Sequence, residues 1–143
     1  MMRVLSCCLM ITALVFISCS SSNDPGPTIQ LQSGTYQVNE QESGSCADPG
    51  GETDNYQLQL TVSGSSVTIY DPVEDETLVG TISGNTVTVT PPPPFAEDGG
   101  TVTVSSITVT ITSTTSFTGS INYSWTDGSD SCTGFIAMQG NKT

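Results

Sequence analysis

From Gly34 onward, apolar and polar side chains alternate with a period of two, carried by Val, Ile and Thr and interrupted by Gly, Pro, Asn and Asp. That period is the pleat of a β-strand, whose successive side chains point to opposite faces. It predicts strands over residues 35–40, 56–63, 66–71, 77–83, 86–91, 101–112, 116–126 and 131–138, and no helix. Two hairpins can be put in register directly. In LQLTVSGSSVTI a two-residue Gly64-Ser65 loop sets Val62 opposite Val67 and Leu60 opposite Ile69. In LVGTISGNTVTV a Gly84-Asn85 loop sets Ile82 opposite Val87 and Gly80 opposite Val89. In both, turn chemistry and apolar face agree independently, and the other face is Thr and Ser.

The long run 101–112 breaks its own pattern. Val102 and Val104 are even-numbered, whereas Ile107, Val109 and Ile111 are odd, so the apolar face would flip across Ser105-Ser106. A β-bulge there restores a single face. The following strand, FTGSINYSW, is odd throughout, with Phe117, Gly119, Ile121, Tyr123 and Trp125 on one side. A Gly128-Ser129 turn then sets Trp125 opposite Cys132.

Ahead of the strands the character changes. Arg3 precedes an apolar run from Val4 to Ile17, too short for a permanent span, which needs about 20 apolar residues. The run ends at Phe16-Ile17-Ser18-Cys19, which resembles the lipobox of bacterial lipoproteins. The resemblance implies cleavage before Cys19, acylation of its thiol and new amine, and residence in the cell envelope as a lipid-anchored protein. If the source is Gram-negative, resemblance to its sorting rule implies the outer membrane, because Ser20 rather than Asp follows the cysteine. Stable anchoring takes two or more acyl chains, each buried methylene contributing about 0.8 kcal/mol. The membrane would thus be the first partner, held through Cys19. Residues 1–18 read as signal peptide and residues 19–33, rich in Ser, Asn, Asp, Pro and Gln, as a flexible tether spanning on the order of 20 Å. The β domain occupies 34–143.

Cleavage would remove Cys7 and Cys8 of the five cysteines, and acylation would occupy Cys19. Cys46 and Cys132 remain, and in an oxidising compartment an isolated pair is expected to be bridged. Strand direction reverses at every hairpin, so in an eight-strand meander the end of the first strand and the start of the last share a rim. Cys46 follows the first and Cys132 opens the last. A disulfide requires Cα atoms within about 7 Å, which a closed barrel supplies; a two-sheet β-sandwich is the alternative. The fold class is therefore all-β, an eight-stranded antiparallel up-and-down barrel. A transmembrane barrel is set aside because most strands fall short of the 9–11 residues needed and the outer face would be Thr and Ser rather than apolar.

The opening SGTYQV, the up-and-down strand count and the near-terminal cysteine resemble the calycin architecture of lipocalins and avidins, with Gly34-Thr35-Tyr36 in place of the family's Gly-x-Trp. That resemblance implies a barrel able to hold one small apolar ligand, for which Tyr36, Tyr123 and Trp125 are the candidate contacts. The same inward residues also simply make a filled core, which is favoured over a ligand site because fold alone does not imply function.

Charge narrows the partners. The chain has 14 acidic residues against 2 basic ones, and loss of the signal would leave Lys142 as the only base. Such a body cannot neutralise phosphates, which argues against nucleic acid, but it could dock a basic protein such as lysozyme as an envelope inhibitor or interaction protein, or serve as a structural surface protein with no specific partner. No enzyme is expected. The chain has no histidine, no Gly-x-Ser-x-Gly and no phosphate loop. No cofactor or metal is expected either: DPVEDE, DPGGETDN and DGSD lack the spacing of a calcium loop and read as turns. PPPPFAEDGG reads as an extended polyproline connector running into a turn, and Glu97-Asp98 and Glu74 to Glu76 read as solvated loop charge.

Overall fold

A computed structural model of the chain describes residues 29–48 and 51–143. The expected signal peptide, Cys19 and most of the expected tether lie outside the described residues. The nine strands are β1 (Gly34–Gly44), β2 (Thr53–Ser63), β3 (Ser66–Asp71), β4 (Glu76–Ser83), β5 (Thr86–Val89), β6 (Phe95–Glu97), β7 (Gly100–Ser113), β8 (Ser116–Thr126) and β9 (Ser131–Lys142). Every pairing is antiparallel, and the sheet closes because β1 pairs with β9 at one side and β5 with β7 at the other. The result is an eight-stranded up-and-down barrel of calycin-like form plus one short extra strand.

Register follows side-chain alternation. Val62 faces Val67, Leu60 faces Ile69, Ile82 faces Val87 and Gly80 faces Val89. Gly64 and Gly84 each take φ 59° at the first position of their two-residue loops, where a type II′ turn requires the left-handed region. Across β7 and β8 the register shifts between Val104 and Ser106, leaving Ser105 as the bulged residue. Its hydroxyl donates to the Asn122 carbonyl at 3.0 Å. The bulge turns Val102 and Ile107, Val109 and Ile111 onto one interior face, where all four are buried. A second shift, between Ile111 and Ser113, eases β7 into its turn.

Three features differ from the sequence expectation. The strand over 86–91 stops at Val89, and the proline stretch leads into β6. β5 pairs with Thr110 to Ile107 and β6 with Val102 to Gly100, both along the edge of β7 that β8 leaves free. They are one strand in two pieces, separated by Pro91 to Pro94, which have no N–H to give the ladder. The first and last strands are also longer than expected, and they pair from Tyr36–Lys142 to Gly44–Gly134.

The third difference concerns the tether. Residues 29–33, expected within it, are packed on the barrel: Leu31 is 2 % exposed, and Ile29 lies against the core cluster. Gln32 N–H donates to the Thr114 carbonyl at 2.9 Å, and the Ser33 hydroxyl accepts from Val62 N–H at 2.8 Å. One leucine in a polar segment is enough to cap the open end of a barrel, so the chain is fixed before the first strand begins. This plugged end also carries the 64–65, 84–85 and 114–115 turns. The opposite end, the disulfide rim, carries the remaining loops and the Cys46–Cys132 bridge, whose Cα atoms are 5.1 Å apart.

Candidate functional site

Strand parity decides what faces the interior. On β1 the inward set is Tyr36, Val38, Glu40 and Glu42, apolar toward the plugged end and acidic toward the rim. On β8 it is Phe117, Gly119, Ile121, Tyr123 and Trp125. Each of the three β8 aromatics covers a glycine on a neighbouring strand. Phe117 lies over Gly140, Tyr123 over Gly134 and Trp125 over Gly100, and a Cβ at any of these glycines would run into the ring. The glycines are thus what lets the rings lie flat along the wall.

The interior is not fully packed. A cavity of about 180 Å³ lies in the barrel interior, lined by aliphatic side chains from Leu31 at the plugged end to Ile69 and Leu78 and, across from them, by Val87, Ile107, Val109, Phe117, Ile121 and Met138, with Tyr56, Asp71 and Glu76 toward the rim. A larger, open depression of about 630 Å³ forms the mouth at the rim. Its walls are Glu42, Glu52, Phe95, Glu97, Asp98, Val102, Val104, Tyr123, Trp125, Ile136 and the two bridged cysteines. Ile121 borders both spaces.

The sequence-predicted contacts fall in different places. Tyr36 is fully buried beside Phe117, ring centroids 5.6 Å apart, and its hydroxyl donates to the Gln32 carbonyl at 2.7 Å. It lines neither space; it ties the plug to the core, and burial pushes its phenol above the usual tyrosine range. Tyr123 and Trp125 do line the mouth. Trp125 Nε1–H donates to the Glu97 carbonyl at 2.9 Å, and the Tyr123 hydroxyl donates to the Glu42 carboxylate. Cys46 and Cys132 are bridged and form part of the same wall.

Sequence reasoning missed Glu40, Glu42 and Tyr56. Tyr56 hydroxyl donates to Glu40 Oε2 at 2.8 Å inside the barrel. Burial raises the Glu40 carboxyl above its ordinary range, partly countered by that hydrogen bond and reinforced by Asp54 and Asp71. Glu42 is raised by burial first, then by Glu52, Glu40, Asp48 and Glu97. Tyr56 is pushed well above the tyrosine range by burial and by the adjacent Glu40 charge. The signal was present in the parity shared by Tyr36, Val38, Glu40 and Glu42, but carboxylates at core-parity positions read as the end of the alternation.

Charge is segregated along the barrel axis. Every Asp and Glu among the described residues lies in the half nearer the disulfide rim. Lys142, the one basic side chain among them, lies at the plugged end, where its Nζ donates to Gln32 Oε1 at 3.1 Å. Among the described residues, no group of three or more His, Cys, Asp and Glu side chains is arranged to hold a metal ion. The arrangement offers a low-polarity chamber, an aromatic and acidic antechamber, and fixed phenol–carboxylate pairs between. Compared with known proteins, the chain matches no protein-family model and no curated protein.

Proposed function

We propose that this chain is a lipid-anchored envelope protein, fixed to a membrane through Cys19, whose barrel is a non-enzymatic binding module for a small apolar ligand. The observation that carries the binding module is the aliphatic cavity of about 180 Å³ inside a closed barrel. A dry cavity of about 150 Å³ lined by similar side chains is enough to take up benzene. The anchor is supported by the order of positive charge, apolar run, lipobox and polar segment ahead of the barrel. In this reading the chain reaches the barrel at its plugged end, and the cavities open away from the bilayer, at the outer membrane in a Gram-negative source.

Native mass spectrometry of protein purified from its own envelope tests both parts. The expected result is a non-covalent adduct of a few hundred daltons or less and lipid mass on the N-terminal peptide. A barrel empty in every preparation overturns the ligand, and an unmodified Cys19 overturns the anchor. The segregation of carboxylates to the rim favours a second reading, an interaction protein that docks a basic partner such as lysozyme. Such a complex should weaken steeply with salt, and no binding at low salt removes it.

A further inference from the structure

The inner cavity is not uniformly apolar, and its one polar end has a single sign. It follows β3 from Val67 to Asp71, roughly 13 Å at about 3.3 Å per residue. At the end nearer the rim, Asp71 and Glu76 face each other across the β3–β4 pair and both border the cavity with Tyr56. Asp71 is held in place by its own turn, Oδ1 accepting from Val73 N–H at 2.8 Å. The Tyr56 hydroxyl is already donating to Glu40, so what it presents to the cavity is the ring.

We propose that this cavity selects a ligand with a short apolar body and a positively charged nitrogen, an alkylammonium, over a neutral or anionic analogue of the same size. The inference rests on the reading of the cavity as a binding site and names the class of ligand it takes. An apolar body fills the aliphatic length, and the ammonium lies between Asp71, Glu76 and the Tyr56 ring, where carboxylate attraction and the ring quadrupole act in the same direction. An anionic head would meet those two carboxylates and Glu40 behind Tyr56. Among the described residues it would find no cation, because Lys142 lies at the opposite end. An alcohol would fill the same volume without either effect.

Hexylamine, hexan-1-ol and heptanoate share one hexyl body and differ in the charge of the head at pH 7. Titrated at low salt into the full chain in nanodiscs of zwitterionic lipid, with empty discs subtracted, they should bind in the order amine, alcohol, acid, the amine at least tenfold tighter than the alcohol. Combining Asp71→Asn with Glu76→Gln should reduce the amine-to-alcohol ratio to within threefold. An alcohol or acid equal to the amine in the wild-type chain overturns the charge selection and leaves the cavity reading standing. Absence of binding by all three overturns the cavity reading and the selection with it. The wild-type ranking decides even where the double variant does not fold.

Discussion

Tyr56 and Glu40 form a hydrogen-bonded pair, 2.8 Å from hydroxyl to carboxylate, on the inner wall of the barrel between β1 and β2. Folding takes Glu40 out of water and gives it one donor in return, and burial outweighs that donor, leaving the carboxyl above its ordinary range. Glu42, two residues nearer the rim, is shifted in the same direction. The folded protein therefore binds these two protons more tightly than the unfolded chain does. The stability this contributes is full below the ordinary carboxylate pKa and is lost as pH rises through the raised values. Exposed Asp127 acts in the opposite sense, its carboxyl held low by the N–H groups of Asp130 and Ser129.

Melting temperature should accordingly rise as the protein is acidified from neutral pH toward the carboxylate range. Replacing Glu40→Gln and Glu42→Gln together should raise the melting temperature at pH 7 and flatten that rise. Thermal denaturation across pH 4 to 8 reads both effects. A double variant that gains as much on acidification as the wild type would show that general charge repulsion, not these two groups, sets the dependence.

Leu31 should behave as a core residue although it lies in a polar stretch. Leu31→Ala removes a side chain that is 2 % exposed at the plugged end, and should cost about 2–5 kcal/mol in urea denaturation. Val73→Ala, at a site 72 % exposed, should stay within about 0.5 kcal/mol. Equal effects at the two positions would mean the barrel does not use the plug.

Trp125 is the only tryptophan in the chain and sits among Glu42, Glu52, Glu97 and Asp98 in the mouth. Its fluorescence is a local reporter of potential. Relative to a free tryptophan amide, caesium should quench it several-fold more effectively than iodide at low ionic strength. The difference should shrink once the Debye length falls to about 3 Å at 1 M salt. Equal relative quenching at low salt would rule out a negative potential in the mouth.

Removing the bridge should loosen the rim. Cys46→Ser with Cys132→Ser should lower stability by about 2–5 kcal/mol. Because both cysteines line the mouth wall with Trp125, its emission should shift to the red. Denaturation followed by fluorescence measures both, and an unchanged midpoint would mean the strands hold the rim unaided.

Much of this fold was legible because β-alternation and turn chemistry are local. The pairs Val62–Val67, Ile82–Val87 and Trp125–Cys132 follow from two-residue periodicity around glycine-bearing turns, and the Ser105 bulge follows from a parity change within one strand. What stayed hidden depends on the assembled barrel. β6 exists because β7 is long enough to offer an edge beyond β5, and four prolines mask the continuity. Leu31 acquires its role from the shape of the barrel end. Glu40 and Glu42 keep the inward parity of β1 where the interior turns polar, so hydropathy alone reads them as leaving the barrel. The site's aromatic half, Tyr123 and Trp125, was visible; its carboxylate half was not.

The pairing of β1 with β9 also governs how the chain reaches its fold. Most other neighbours are joined by short turns and can zip as hairpins, but this seam brings together residues as distant as Tyr36 and Lys142 and must pay the loop-closure entropy of nearly the whole domain. The Cys46–Cys132 bridge crosses the same seam, with a sequence separation of 86. In the oxidised chain these two edges are never far apart, so ring closure becomes a local event and refolding should be faster than in the reduced chain. In the reduced chain both edges wait open, each a template on which a second molecule can add a strand.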